Sequence, residues 1–305
     1  FYSGIGIKYY DERLDLNDMG YLILNDRFML NGRTQFKRTT FQEGSVLRSR
    51  LFEIGYGSKF NVDSERESSN FALKLENNFV NLSEIKAEVF YRSTGRNTRI
   101  TRGSKLAPFI KMPKGMGGYI DFTGPRRPTY VYGLRFERGR GSEHSPELGW
   151  GTKSRGYLKY MPTDTLSFSL MYQHQRENEW LNWYGDNLLA TFQRKQRTSV
   201  VEMEWFRNNI HELRIKAQMV AFTGREPQSF LGDLSGNLNP EDIYIPPITI
   251  SELAFQVRYR YEIMPLSYLY LVYSKGGRIS LQDEEDDLFS LYRSCLLYTS
   301  DAADE

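Results

Sequence analysis

The feature of this chain that most constrains its fold is a two-residue alternation of apolar and polar side chains within residues 248–277. Alternate positions carry Leu253, Phe255, Val257, Tyr259 and Tyr261, and the positions between them carry Ala254, Gln256, Arg258 and Arg260. Successive side chains of a β-strand point to opposite faces, so one face of this segment must meet an apolar environment. Pro265 predicts a tight turn within residues 262–267, followed by a second strand over residues 268–274. The apolar environment is either a protein core or a lipid bilayer.

The same alternation recurs along the chain, for example in residues 71–76, 85–92, 130–136, 166–173 and 213–221. The connections are predicted to be short near residues 42, 82, 125, 163, 208 and 264. Between them we predict long loops, including residues 61–70, 93–116, 138–151, 175–187 and 224–247. An antiparallel meander of about fourteen strands with this loop pattern is typical of an all-β, up-and-down transmembrane barrel of the outer-membrane type. A soluble β-sandwich is the alternative.

The composition excludes several other classes of protein. Apolar residues make up 40% of the chain and the mean hydropathy is −0.56, and no stretch approaches the ~18 uncharged apolar residues of a membrane-spanning helix. The aromatic content of 14% favours strands and the aromatic girdles of membrane barrels. A net charge of +2 gives no reason to expect a nucleic-acid partner. The single cysteine, Cys295, excludes a disulfide framework and a cysteine metal cluster, and no cofactor is expected.

Charge placement predicts which face of the strands points inward. Matching the apolar faces within residues 200–220 pairs Trp205 with Leu213 and Met203 with Ile215, which sets opposite charges directly across from each other. A wall of charged side chains is costly in a dry core but normal around a watery lumen. We therefore expect the polar face to line a lumen and the apolar face to contact lipid. The predicted lumen-lining charges are Glu202, Glu204, Arg214, Lys216, Arg258 and Arg260, with Glu204 opposite Arg214 and Glu202 opposite Lys216.

Two of the predicted long loops supply candidate ligand-binding residues. Arg96, Arg99 and Arg102 belong to a basic, glycine-containing loop that would bind the phosphates of lipopolysaccharide or narrow the lumen. Its alternative is a solvated loop without a ligand. Trp180, Trp183 and Tyr184 would stack on a sugar or anchor the rim of the barrel in the lipid headgroup layer.

The remaining polar motifs give no catalytic or metal-binding residue. His211 begins the sequence HELRI, which lacks the second histidine of the zinc-protease motif. His174 lies close to Ser167 and Ser169, but the alternation puts it on the opposite face of the strand from both serines, which argues against nucleophilic catalysis. The acidic run at residues 283–287 offers carboxylates for Ca²⁺ but lacks the spaced ligands of an EF-hand, so a solvated turn is the simpler interpretation.

Four segments resemble an uncharacterised family of bacterial outer-membrane barrels that is catalogued as a domain of unknown function. They are DLNDMGYL (residues 15–22), IDFTGPRRPTY (residues 120–130), NNIHELRIKAQ (residues 208–218) and RYRYEIMPLSYLYLVYSKGG (residues 258–277). Members of that family commonly carry an N-terminal carbohydrate-binding module like that of family nine. The resemblance therefore implies a link to glycans that no residue of this chain carries by itself.

The ends of the chain also suggest a domain assignment. It begins at Phe1 rather than at a methionine, so we expect an internal fragment in which residues 1–294 are an incomplete barrel without its early strands and its closing strand. Residues 295–305 lose the alternation and resemble translated sequencing-adapter sequence, which predicts a non-native tail.

These observations leave three hypotheses about function. The first is a non-catalytic role in surface binding or uptake, with glycans as the ligands, in the outer membrane of a Gram-negative bacterium among its lipids and lipopolysaccharide. The second is a barrel hydrolase that acts on lipid, peptide or glycan at the cell surface. The third is a structural barrel that displays an upstream carbohydrate-binding module.

Overall fold

The computed structural model describes residues 1–11, 13, 27–61, 65–140, 148–208 and 210–281, and within these ranges the chain is built of β-strands. No described helix is long and apolar enough to cross a membrane. The strands are β1 (Tyr2–Tyr10), β2 (Arg27–Arg38), β3 (Leu47–Phe60), β4 (Arg66–Phe79), β5 (Glu84–Arg92), β6 (Gly95–Asn97), β7 (Ile110–Met112), β8 (Gly115–Thr123), β9 (Tyr130–Arg140), β10 (Trp150–Thr163), β11 (Leu166–Gly185), β12 (Leu188–Arg207), β13 (His211–Gly232), β14 (Leu238–Glu241), β15 (Ile248–Met264) and β16 (Ser267–Leu281).

One 14-stranded antiparallel sheet contains all of these strands except β6 and β7, which pair with each other. Its order is β1-β2-β3-β4-β5-β8-β9-β10-β11-β12-β13-β15-β16, with β14 added beside β13. Neighbours in the sheet are therefore neighbours along the chain, and the predicted all-β, up-and-down architecture is confirmed. In the described part of the chain, β1 and β16 are edges that do not pair with each other, as expected for an incomplete barrel.

The sheet curls so that its polar face is concave. Met112 belongs to a buried cluster that includes Leu189 of β12, and it also lines a cavity with Arg27 of β2. Strands β2 and β12 are eight positions apart in the sheet, which is roughly 38 Å along a flat sheet, so the short strand β7 lies close to both only because the sheet curls. The cavity is also lined by Lys59 and Arg92, which share the polar face with Arg27.

The convex face carries large apolar side chains that no described residue covers. Leu134 is 61% exposed, Ile120 59% and Val201 52%, although each belongs to the interior of the sheet. Apart from Met219 and Ala221, the buried apolar residues of the described chain gather at the long-loop end; they are Ala107, Ile110, Met112, Leu181, Leu189, Ala190, Phe192 and Ile245. An apolar face of this extent requires an apolar partner.

Two strands, β11 and β13, are much longer than the sequence predicted. β11, β12 and β13 contain 20, 20 and 22 residues, whereas a strand needs about 9–11 residues to cross a bilayer. The loop predicted at residues 175–187 is therefore wrong in large part, because β11 continues to Gly185, and the loop predicted at residues 224–247 begins later, because β13 continues to Gly232. The cause is local: irregularities between Glu177 and Trp180, and opposite Thr191–Gln193, shift the register and break the alternation.

The strict alternation of long and short connections is also wrong. β11 and β12 are joined by Asp186 and Asn187 alone, and β4 begins at Arg66, inside the loop predicted at residues 61–70. The long loops predicted at residues 61–70 and 175–187 are thus replaced by short links, one between β3 and β4 and one between β11 and β12. Among the connections that lie wholly within the described residues, the long ones join β5 to β8 and β13 to β15.

The hairpin of residues 248–277 is confirmed with a tighter turn than predicted, made of Pro265 and Leu266, where Leu266 has a φ of 67°. Arg258 pairs with Val272 and Arg260 with Tyr270. The second arm of this hairpin has no packing partner over either face among the described residues. Its large side chains stay exposed on both faces, although the Arg260 guanidinium lies 4.9 Å from the Tyr268 ring.

Several sequence predictions lie outside the described residues. They are the family-like segment at residues 15–22, the acidic run at residues 283–287, a last strand within residues 288–294, and the tail of residues 295–305.

Candidate functional site at the long-loop end

The connection between β5 and β8, here called the basic loop (residues 93–114), folds back onto the sheet. The Ser93 amide donates to the Ser69 carbonyl at 2.8 Å, which fixes the start of the loop against β4. A Cβ atom at Gly95 would lie 1.7 Å from the Glu67 carbonyl oxygen, so this contact admits only glycine. The hairpin of β6 and β7 begins at Gly95, directly after this anchored start of the loop.

The basic loop packs against one face of the β11–β13 extension, which comprises residues 178–185, 188–193 and 224–232. Ile110 and Met112 form a buried cluster with Leu181 and Leu189, and the partly buried residues Ile100, Leu148, Trp183 and Leu238 pack around it. The opposite face of the extension is covered by Ile245 and Ile248, which contact Ala190, Phe192 and Trp180. The extension is thus covered on both faces, unlike the strands below it. The basic loop, the extension and residues 233–248 are together called the cap.

A turn at Asp233 holds the basic loop from the other side. The Asp233 carboxylate accepts hydrogen bonds from the Asn237 backbone amide at 2.8 Å and from its side-chain amide at 2.9 Å. These bonds, the backbone one first, hold the pKa of the Asp233 carboxyl below its ordinary value. The Gly236 carbonyl accepts from the Lys111 amide at 2.8 Å, and Lys111 Nζ donates to Asn237 at 2.9 Å. The turn is therefore firmest above the ordinary carboxyl pKa and weakens when acid protonates Asp233.

A cavity of about 60 Å³ lies between the basic loop and the concave face of β2–β4. This volume is several times the ~10–15 Å³ that one water molecule needs. Five cationic side chains and one carboxylate line it: Arg27, Lys59, Arg92, Arg96, Arg99 and Glu67. Glu67 pairs with Arg27 at 2.8 Å, and Arg96 pairs with Glu65 outside the cavity lining. The lining therefore has an excess of positive charge, which suits an anionic group of a solute.

The three predicted arginines of the basic loop separate in the structure. Arg96 and Arg99 line the cavity, whereas Arg102 lies 5.2 Å from the Trp183 ring and takes no part in the lining. Arg96 belongs to the short strand β6 rather than to an irregular loop, and its guanidinium lies 4.3 Å from the Phe109 ring. Ligand binding by these residues stays a prediction.

The predicted aromatic residues lie in β11, so their placement in a loop is wrong. Trp180 packs on Phe222 with ring centres 5.2 Å apart, while Trp183 belongs to the cluster on the other face and donates its indole N–H to the Asp186 carbonyl at 3.0 Å. Tyr184 is 40% exposed. The three rings do not form one surface on which a sugar could stack, although a role for each ring at the rim stays a prediction.

The register predicted for residues 200–220 is confirmed, including Trp205 with Leu213. Lys216 Nζ lies 2.7 Å from a Glu202 carboxylate oxygen, and Arg214 lies 3.6 Å from Glu204. All six predicted lumen-lining residues occupy the concave face, where Glu202, Glu204, Arg214, Lys216, Arg258 and Arg260 all take part in ion pairs. Their function in a lumen stays a prediction.

The residue that organises these charges was not predicted from the sequence. Glu212 is 3% exposed and pairs with Arg214, with Arg258 at 3.0 Å and with Arg260 at 3.0 Å. Extending the predicted register across to β15 would have found it, because Glu212 stands directly opposite Arg260.

The two described histidines considered above show no catalytic or metal-binding arrangement. His174 pairs across the strands with Arg197, on the face opposite to Ser167 and Ser169, as the alternation predicted. His211 Nδ1 lies 2.6 Å from the Tyr259 hydroxyl. In the described part of the chain, no group of three or more His, Cys, Asp or Glu residues is arranged to hold a metal ion.

Comparison with known proteins identifies no relative: no family model matches the chain, and no curated protein matches it. The resemblance to a family of outer-membrane barrels rests on the four sequence segments given above.

Proposed function

We propose that this chain forms part of an outer-membrane β-barrel with a non-catalytic role in binding solutes at the cell surface or taking them up. The observation that carries the proposal is the convex face of the sheet, whose apolar side chains are large, exposed and uncovered. The concave face carries ion pairs over strand after strand, which suits contact with water. In a membrane barrel the apolar convex face would contact lipid and the charged concave face would contact water, so both faces would have a suitable environment.

The cap favours solute binding over a wide, unselective pore. The basic loop crosses from β4 to the β11–β13 extension and so lies over the long-loop end of the curled sheet. The cavity beneath it has an excess of positive charge, so we propose that its solutes carry carboxylate, sulfate or phosphate groups. Acidic glycans have such groups and would agree with the glycan link that the family resemblance implies.

Reconstitution of the full-length protein tests both parts of the proposal. Folded into detergent or vesicles, it should give a β-rich circular dichroism spectrum and a gel band that shifts on heating. A water-soluble or helical product would refute the membrane assignment.

The cavity is then tested by equilibrium dialysis with glucuronate against glucose. We expect the folded protein to retain glucuronate, and Arg99→Gln to weaken this binding by about tenfold, as expected for one charge-assisted contact. Lys114→Gln removes a charge from the same loop outside the cavity lining and should leave the binding unchanged. Equal retention of glucose and glucuronate would refute the anionic-solute proposal alone.

A further inference from the structure

The cationic side chains on the two faces of β9–β13 differ in their ion-pair partners. On the concave face several cations have carboxylate partners, such as Arg135 with Glu137 at 3.3 Å and Arg194 with Glu177 at 3.1 Å. The convex face carries a second set, here called the cationic band: Arg138, Arg176, Lys195 and Arg197. Among the described residues, these four side chains have neither an ion pair nor a hydrogen bond. Ion pairs thus compensate part of the positive charge on the concave face but none of the positive charge of the cationic band.

The strand register brings the cationic band together. Arg138 and Arg176 both pair with Thr152 from opposite sides, and Arg176 pairs with Lys195. With neighbouring strands ~4.8 Å apart, these three residues span only about 15 Å across the sheet. Arg197 lies two residues from Lys195 on the same face, beside His174. Arg197, Lys195 and Arg176 are all close enough to interact electrostatically with His174.

One acidic side chain lies close to the cationic band: Glu226 accepts a hydrogen bond from Gln193, which precedes Lys195 on the convex face of β12. The convex positions of β9–β13 at the level of the band carry no Asp or Glu in the register. Several are small, including Thr152, Ser154 and Ser199, which leaves room for a large headgroup to approach. Cations at this spacing repel each other unless an external anion lies between them.

The apolar face begins directly below the cationic band. Tyr172 is the next convex residue of β11 after His174, and Leu170, Leu158, Leu134 and Val201 follow as exposed side chains. A ligand that satisfies both regions must therefore be an amphiphile, with acyl chains on the apolar side chains and anionic groups on the cations. The band lies toward the long-loop end of the strands, so this amphiphile belongs to the membrane leaflet on that side.

We propose that the cationic band binds the phosphate groups of a multi-acyl phosphoglycolipid of the lipid A class in the outer leaflet. This inference rests on the proposed membrane location. Arginine suits phosphate because its guanidinium donates two parallel hydrogen bonds. The sequence predicted that lipopolysaccharide phosphates would contact the basic loop. Arg96 and Arg99 instead line a concave cavity, and β9, β11 and β12 supply the cations that face lipid.

The test compares two charge-matched variants of the full-length protein at the same height in the barrel. Arg176→Gln with Lys195→Gln removes two charges from the convex face. Lys153→Gln with Arg155→Gln removes two from the concave face of β10, where Lys153 pairs with Gln175 and Arg155 with Gln173. Each protein is first shown to fold by its heat-dependent gel shift. Binding of bis-phosphorylated lipid A, and of the same lipid without phosphates, is then measured in dodecyl maltoside micelles by native mass spectrometry.

We expect the unaltered protein to bind phosphorylated lipid A about tenfold or more tightly than the dephosphorylated lipid. The convex-face variant should lose most of this preference, and the concave-face variant should keep it. If the folded, unaltered protein binds both lipids equally, the inference is overturned and the proposed function is left intact. If both variants lose the preference for phosphorylated lipid A equally, the inference is also overturned, because the binding then reflects general electrostatic attraction. Complete competition by millimolar inorganic phosphate would identify a phosphate-ion site rather than a lipid site. Failure of the unaltered protein to fold in detergent would overturn the proposed function and this inference together.

Discussion

Glu212 shows at the scale of one residue how the concave face tolerates so much charge. Its carboxylate is almost fully buried beneath three guanidinium groups, those of Arg214, Arg258 and Arg260. The arginines themselves are 28–44% exposed, so water screens part of their mutual repulsion. The negative charge of the Glu212 carboxylate offsets the remaining repulsion between the arginines. It also links β13 to β15, since Glu212 stands opposite Arg260 in the register of these two strands.

Replacing Glu212 with glutamine should therefore destabilise the sheet. The amide keeps the shape of the side chain but leaves three arginines without their shared counter-charge, at a cost of roughly 1–3 kcal/mol in the free energy of unfolding. Urea titration of the vesicle-inserted protein, followed by the heat-dependent gel shift, measures this change.

Glu202→Gln is the matched control for Glu212→Gln. Glu202 is 37% exposed and has Lys216 as its ion-pair partner in the described chain, so its loss should cost at most about 0.5 kcal/mol. Equal urea midpoints for the two variants would show that burial and multiple pairing at Glu212 add nothing to stability.

At the scale of the element, the strands outside the cap were predicted better from the sequence than the cap itself. The register of β12 and β13 follows from matching Trp205 with Leu213, because a slip of one residue would turn every apolar side chain inward. The short turns were predictable where proline or paired asparagines mark them, as at Pro265.

Two parts of the extension, those in β11 and β13, were missed because their residues do not alternate cleanly between apolar and polar. Both of its faces are covered in the structure, so Leu181 and Leu189 are buried on one face while Ala190 and Phe192 are buried on the other. A strand buried on both faces loses the two-residue period. The contacts that bury it come from residues 100–112 and 238–248, far away along the chain, and no local pattern predicts such contacts.

The cap has a buried core of its own, and its stability should therefore be separable from that of the sheet. Ile110→Ala leaves a cavity beside Leu181 and Leu189, which should cost roughly 2–4 kcal/mol in the local stability of the cap. The basic loop should then open more often, and trypsin should cleave after Arg102 or Lys105 about tenfold or more faster. The urea midpoint of the sheet should move little.

Leu106→Ala provides the control for Ile110→Ala within the same loop. Leu106 is 55% exposed and lies outside the buried cluster. Trypsin should therefore cleave the Leu106→Ala variant at the same rate as the unaltered protein. If Ile110→Ala lowers the midpoint of the sheet as much as it loosens the loop, the cap and the sheet unfold as one unit.

At the scale of the whole molecule, three zones follow one another along the strands. The short-turn end has the Glu212 charge cluster on its concave face, the middle has the exposed apolar side chains, and the long-loop end has the cap. Between the middle and the cap, the cationic band marks the level at which the convex face changes from apolar to charged. This order suits a barrel that contacts lipid along its middle and solute at its covered end.

The cap should control passage through the barrel, and removing the basic loop tests this directly. Arg92 and Gly115 are paired neighbours in β5 and β8, so residues 94–113 can be replaced by Asn-Gly, which suits a tight β-turn. The shortened protein should still show the heat-dependent gel shift, and its conductance in planar bilayers should rise several-fold because the obstruction at the long-loop end is gone. Leu106→Ala, with the loop intact, should conduct like the unaltered protein. An unchanged conductance after the deletion would place the narrowest point below the cap, where Glu212 and its three arginines gather on the concave face.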